Sequence, residues 1–99
     1  MSRAVLIIFS KPTSPEQEDE YNEWYDNVHI PDVTSLPGVK SGKRFRITQD
    51  KPWKYVAEYE IECDDIAKWE ADATEALKKM VMSTSFDFNT LLTLYMEPV

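Results

Sequence analysis

The feature that most constrains this chain is its first apolar run, AVLIIF at positions 4–9. Val5, Ile7 and Phe9 alternate with Leu6 and Ile8, so a strand built from "RAVLIIFS" is apolar on both faces. Such a strand belongs in the middle of a sheet that is covered on two sides. The final run, "FNTLLTLYM" at 88–96, reads as a last strand that is also apolar on both faces. A chain of 99 residues has little core to spare, so the number of elements available for covering those faces decides the architecture.

Between these runs the periodicity changes twice. "KPTSPEQ" is a helix start: Ser14 stands where an N-cap would, Pro15 suits the first helical position, and Gln17 completes a capping-box spacing. The helix that follows places Tyr21, Trp24, Tyr25 and Val28 on one stripe, with Glu18, Asp19, Glu23 and Asp26 largely opposite. Pro31 disfavours helical geometry at Ile30, so this helix is expected to end or bend just after His29. After "LPG", the stretch "VKSGKRFRIT" alternates Val39, Ser41, Lys43, Phe45 and Ile47 with Lys40, Gly42, Arg44 and Arg46, a strand with one wet face. "WKYVAEYEI" alternates again, with Trp53, Tyr55, Ala57, Tyr59 and Ile61 on one side. Asp64 is placed to cap a second helix in which Ile66, Trp69, Ala73, Leu77 and Met80 recur every three or four residues.

The order strand, helix, strand, strand, helix, strand defines an α+β fold of the ferredoxin-like βαββαβ type: a four-stranded, mainly antiparallel sheet with two helices on one face. Residues 1–99 are expected to form a single domain. Two helices cover one sheet face only, which leaves a second apolar face, and another copy of the chain is the simplest cover. A homodimer is therefore expected.

The net charge of −7, with no basic cluster longer than Lys43-Arg44, argues against nucleic acid as a partner. Cys63 is the only cysteine, which rules out an internal disulfide. "AVLIIF" spans six residues and lacks a cleavage-like tail, and no stretch approaches the roughly 18–20 apolar residues of a membrane span. The expectation is a soluble, cytoplasmic protein without membrane contact.

The segment "EYNEWYDNVHIPDVTSLPGV", residues 20–39, holds the only histidine, His29. An aromatic helix delivering a histidine, a Pro-Asp pair and an "LPG" turn into the next strand resemble the EthD-like members of the dimeric alpha/beta-barrel superfamily. The element order extends that resemblance across essentially the whole chain. It implies a pocket inside each subunit, between sheet and helices, with the histidine of the first helix turned toward it. It implies neither metal nor organic cofactor for most such members, although some branches bind haem. The family's barrels include isomerases, cyclases, decarboxylases, cofactor-free oxygenases and members with no activity, so the resemblance leaves the reaction open. Several enzymatic branches carry further histidines on later strands, and a multi-histidine mechanism is excluded here.

The residues themselves leave His29 with two roles. Near a helix C-terminus and three positions from both Asp26 and Asp32, it would favour the imidazolium, whereas burial among aromatics would favour the neutral ring. That balance is expected to leave it titrating near neutrality, suited to acid–base catalysis. The alternative is a structural histidine at the helix end. Asp32 would steady the imidazole or cap the following turn, and Tyr25 would hydrogen-bond a developing oxyanion or simply pack. Tyr21, Trp24, Tyr55 and Tyr59 are candidate walls of a substrate pocket, or else core. No metal site is expected, because His29 with Asp26 and Asp32 lacks a second nitrogen or thiolate ligand. With Gly38 and Gly42 the only glycines, no phosphate loop exists. The resulting expectation is a small cofactor-independent enzyme moving a proton through His29 on a small apolar, aromatic or cyclic molecule, as an isomerase, lyase or cyclase. The alternatives are a non-catalytic binding or accessory protein of the same fold and a cofactor-free monooxygenase.

Overall fold

The computed structural model describes residues 2–99. Strand β1 (Ser2–Ser10) is followed by a 3-10 turn (Pro15–Gln17) and a composite helix made of α1 (Glu18–Trp24), a π-helical turn (Tyr25–His29) and α2 (Ile30–Thr34). Then come β2 (Val39–Arg46), β3 (Tyr55–Cys63), α3 (Ile66–Leu77) and β4 (Leu92–Met96). The four strands form one sheet in the order β2-β3-β1-β4, and every neighbouring pair is antiparallel. This is the ferredoxin-like α+β arrangement expected from the periodicities, with the doubly apolar β1 in the interior of the sheet.

Because side chains alternate along a strand and directly paired residues share a face, the register sorts the sheet into two surfaces. On the helix side, Leu6 pairs with Tyr59 and Tyr95, Ile8 with Ala57 and Thr93, and Ala4 with Ile61. Helices press Tyr21, Trp24, Tyr25, Val33, Trp69 and Ala73 onto this side, and the core forms there. The other side carries Val5, Ile7 and Phe9 opposite Met96, Leu94 and Leu92. Leu94 and Met96 keep 41% and 42% of their surface, and Phe45 keeps 49%, so the β1–β4 half of this face is apolar and uncovered within one chain, while β3 and β2 add Glu58, Glu60 and Lys43 to the other half.

The structure departs from the sequence expectations in several places, each with a local cause. Ser14 is extended (φ −157°) and makes no side-chain cap; its carbonyl instead accepts from the Gln17 backbone in a 3-10 turn. The helix does not stop at Pro31. Proline has no N–H and its ring crowds the carbonyl four residues back; the π-helical turn just before it, in which the Ile30 N–H reaches back to the Tyr25 carbonyl, shifts the backbone register and lets the helix run on to Thr34. Asp65, not Asp64, caps α3, accepting from the N–H groups of Ala67 (3.0 Å) and Lys68 (3.3 Å). Strand β4 starts at Leu92 rather than Phe88, and β3 at Tyr55 rather than Trp53. Trp53 leaves the face of Tyr55 and Tyr59: its ring lies 5.3 Å from Phe9, and its indole donates to the Thr90 carbonyl. In β2, after a bulge between Val39 and Ser41, Gly42 and Arg44 face the helices while Phe45 faces outward, opposite to what a charged-out alternation suggests.

Among the described residues no helix is long and apolar enough to cross a membrane.

Candidate functional site

The π-helical turn adds one residue to a single helical turn and so changes which side chains the helix presents to the sheet. It keeps Tyr21, Trp24, Tyr25, His29 and Val33 all turned inward, each below a tenth exposed. His29 is 4% exposed. Its ring stacks on Trp24 (centroids 4.7 Å, 22° between planes) and meets Tyr25 edge-on at 5.2 Å.

Beside this imidazole lies a cavity of about 300 Å³ between the sheet and the helices. Its floor is Leu6 and Ile8 of β1 with Thr93 and Tyr95 of β4; one wall is His29, Val33 and Leu36, and the other is the Trp69, Glu70, Ala73, Thr74 and Leu77 face of α3. Trp69 is fixed by a 2.7 Å hydrogen bond from its indole to the Pro37 carbonyl. Such a space, mostly apolar with a few polar groups, has the character of a small-molecule site.

Burial pushes the His29 imidazole down to about 4, with the field of Asp32 only partly opposing it. This corrects the expectation of titration near neutrality. The expectation counted on a helix C-terminus at His29; since the helix continues, that stabilisation of the cation is absent and desolvation prevails. At neutral pH the ring is uncharged. Its Nδ1 is enclosed and has no hydrogen-bond partner. Asp32 makes no hydrogen bond to it among the described residues, so the carboxylate acts on the imidazole through space alone.

Of the other candidate site residues, Tyr21, Trp24, Tyr25, Asp32, Tyr55 and Tyr59, none lines this cavity. Tyr21, Tyr25, Tyr55 and Tyr59 gather instead around a residue that sequence reasoning passed over, Arg44. Its guanidinium carbon lies 4.4 Å from the Tyr25 ring centroid, 5.0 Å from Tyr55 and 5.4 Å from Tyr21. Its two terminal nitrogens donate to Asp26 Oδ1 and Asn22 Oδ1, both at 2.8 Å, and its side chain is only 12% exposed. The Tyr21 hydroxyl shares a 2.5 Å hydrogen bond with Ser10 Oγ; the Tyr55 hydroxyl donates to Glu18 and accepts from Asn22. Tyr25 and Tyr59 hydroxyls are enclosed without partners, and burial holds both phenols well above their ordinary value. Trp24 donates to the Val81 carbonyl at 2.9 Å. A planar guanidinium on aromatic faces is a stable packing unit, so this cluster is a buttress behind His29 rather than a wall of the cavity. No local signal marks Arg44: its alternation with Lys40 and Arg46 reads as a wet face, and only the bulge between Val39 and Ser41 turns it toward the helices.

Asp26, a member of the set weighed in the sequence with His29 and Asp32, is engaged by Arg44. Among the described residues no group of three or more His, Cys, Asp or Glu side chains is close enough to hold a metal ion.

Strand order and helix placement together define a ferredoxin-like α+β protein. Residues 9–94 match the family described as Domain of unknown function (DUF4286), and the chain belongs to that family. The fold is also that of an EthD (ethyl tert-butyl ether d) family protein from Bacillus halodurans c-125, 16% identical over 100% of both chains with a TM-score of 0.65. A dabb family protein with a ferredoxin-like fold from Mesorhizobium loti maff303099 is 11% identical over 100% of this chain and 99% of that one, with a TM-score of 0.66. A dimeric ferredoxin-like protein of unknown function from Thermobifida fusca yx is 10% identical, covers 98% and 92% of the two chains, and has a TM-score of 0.56. The EthD-like resemblance carried by residues 20–39 thus holds at the level of the fold. No curated protein matches the chain.

Proposed function

We propose that this protein binds a small, largely apolar ring compound in the cavity beside His29 and that the imidazole moves a proton on it without a cofactor, as an isomerase, lyase or cyclase does. The observation that carries the reading is a buried, uncharged imidazole on the wall of a cavity of about 300 Å³. Nδ1 is sealed by packing, which leaves Nε2 as the nitrogen for a ligand. A base whose conjugate acid titrates near 4 is always free to accept a proton at pH 7, yet it returns that proton readily. That favours substrates with acidified C–H bonds, such as ring ketones, in which the proton is shuttled between two carbons or oxygens. Tyr25 and Asp32 act behind the imidazole in this reading: Tyr25 fixes the ring edge-on, and Asp32 lowers the cost of the transient cation. Tyr21, Trp24, Tyr55 and Tyr59 support that arrangement from the Arg44 cluster. The functional unit is a homodimer joined through the uncovered sheet face, as the dimeric relative from Thermobifida fusca also suggests.

A second reading has its own support. The low affinity of His29 for a proton and the missing hydrogen bond to Asp32 suit an accessory protein that binds a ring compound and releases it unchanged. The α-protons of β-tetralone exchange with D2O at a rate that NMR follows directly, which separates the two. Accelerated exchange by the wild-type protein, lost in His29→Gln with the dimer and melting temperature intact, is expected for the catalytic reading. Binding without acceleration would leave the accessory reading standing.

A further inference from the structure

We propose that Tyr95 and Glu70 select the cavity's ligand, Tyr95 by donating a hydrogen bond to a ligand oxygen and Glu70 by turning anions away, so that the site takes uncharged, hydroxyl- or carbonyl-bearing ring compounds and rejects carboxylates. This inference rests on the cavity being the ligand site. It starts from the position of the two residues. Tyr95 comes from β4, where it pairs with Leu6, and its ring stands edge-on to Trp69 at 6.4 Å. Both rings line the cavity, on the side away from His29's helix. Tyr95 is half-buried, and among the described residues its hydroxyl makes no hydrogen bond, whereas Tyr21 and Tyr55 both have partners. A phenol that packs its ring and leaves its hydroxyl unengaged is a group held ready for a ligand.

Glu70 lies on the exposed face of α3 and contributes to the same lining. It is the only acidic residue there, and His29, the other ionisable side chain on the helix walls, is uncharged at neutral pH. Among the described residues no lysine or arginine lines the cavity to neutralise an incoming carboxylate. Burial and the nearby Glu70 carboxylate together push the Tyr95 phenol up to about 12, so at working pH it is a donor and never an anion. An entering carboxylate would meet one negative charge at the rim, lose its water inside, and find a single neutral donor in return. A neutral hydroxyl or ketone oxygen pays neither of those costs and accepts from Tyr95, and a hydroxyl can at the same time donate to the His29 imidazole.

Naphthol and naphthoate are shape-matched probes, one neutral and one anionic at pH 7. Titration of the wild-type protein, with intermolecular NOEs from the probe to Ile8 and Leu77, is expected to give naphthol a Kd about tenfold lower at low ionic strength, a gap that narrows with added salt. Glu70→Gln should improve naphthoate about threefold or more and leave naphthol unchanged. Tyr95→Phe should weaken naphthol about two- to tenfold, the effect of one neutral hydrogen bond. Equal affinity for both probes in the wild type, or a naphthoate affinity untouched by Glu70→Gln, would overturn the inference while the cavity remained a binding site. If neither probe binds, or NOEs run to Leu94 on the uncovered sheet face, the cavity reading and this inference fall together.

Discussion

The uncharged His29 makes the fold itself sensitive to acid over a defined window. In the unfolded chain the imidazole takes its ordinary value of 6.5, and in the folded protein burial lowers it to about 4. Between those values the unfolded chain binds a proton that the folded protein refuses, so folding stability is complete above pH 6.5, falls as pH drops through the window, and has lost the whole contribution below about 4. At 1.36 kcal/mol for each pH unit, the interval is worth about 3 kcal/mol. His29 is 4% exposed, so solvent screening takes little from that figure. Against a total of about 5–15 kcal/mol for a protein of this kind, the loss is large. Urea denaturation at pH 7 and pH 4.5 measures it: the wild-type midpoint should fall by about 2 M, given a slope of roughly 1–2 kcal/mol per molar. Carboxylates also titrate there, so the decisive quantity is the difference from His29→Phe, which keeps a ring against Trp24 but has nothing to protonate. Its midpoint should fall much less over the same interval. Parallel losses in the two proteins would refute the claim that His29 is buried uncharged.

Gly42→Ala would place a methyl 2.9 Å from Thr34 Cγ2 and 3.0 Å from the Tyr59 ring, and should cost about 1–3 kcal/mol by thermal melting, since Tyr59 is fully buried and the Thr34 hydroxyl is tied to the Ile30 carbonyl. Arg44→Lys, although it keeps the charge, loses the two-pronged contact to Asp26 and Asn22 and the stacking on three tyrosines; a loss of about 1–3 kcal/mol is expected by chemical denaturation, with the cavity intact. Leu94→Asp, on the uncovered face, should yield a folded monomer by light scattering and circular dichroism, and a wild-type protein that is already monomeric at micromolar concentration would end the dimer proposal.

What was legible in the sequence follows from how far each physical cause reaches along the chain. The two-sided character of β1 is a local alternation, and it located that strand inside the sheet. The inward turn of Arg44 was not legible in the same way, because it depends on a bulge at Val39/Ser41 and on three tyrosines from two other elements. Pro31 was read by its local effect, and the backbone found a non-local answer in the π-helical turn. That single difference also moved His29 from a helix end to a helix interior and took its titration from near neutrality down to about 4. Tyr95 and Glu70 escaped notice since their meeting depends on α3 lying across β1 and β4, a juxtaposition that no spacing in the sequence reports.

The π-helical turn also makes the length of this segment a matter of selection apart from its composition. A helix advances about 100° per residue, and the π-helical turn uses one residue more than an α-helical turn for the same rotation, so Val33 stays on the face of Tyr21 and Trp24. Asn27 is exposed, so its identity is free to drift. Its deletion would let the turn relax to a plain α-helix with Tyr21, Trp24 and Val33 still seated, but would leave Pro31 crowding the carbonyl four residues back with no register shift to relieve it. Homologous chains that lack this residue should therefore lack the proline as well.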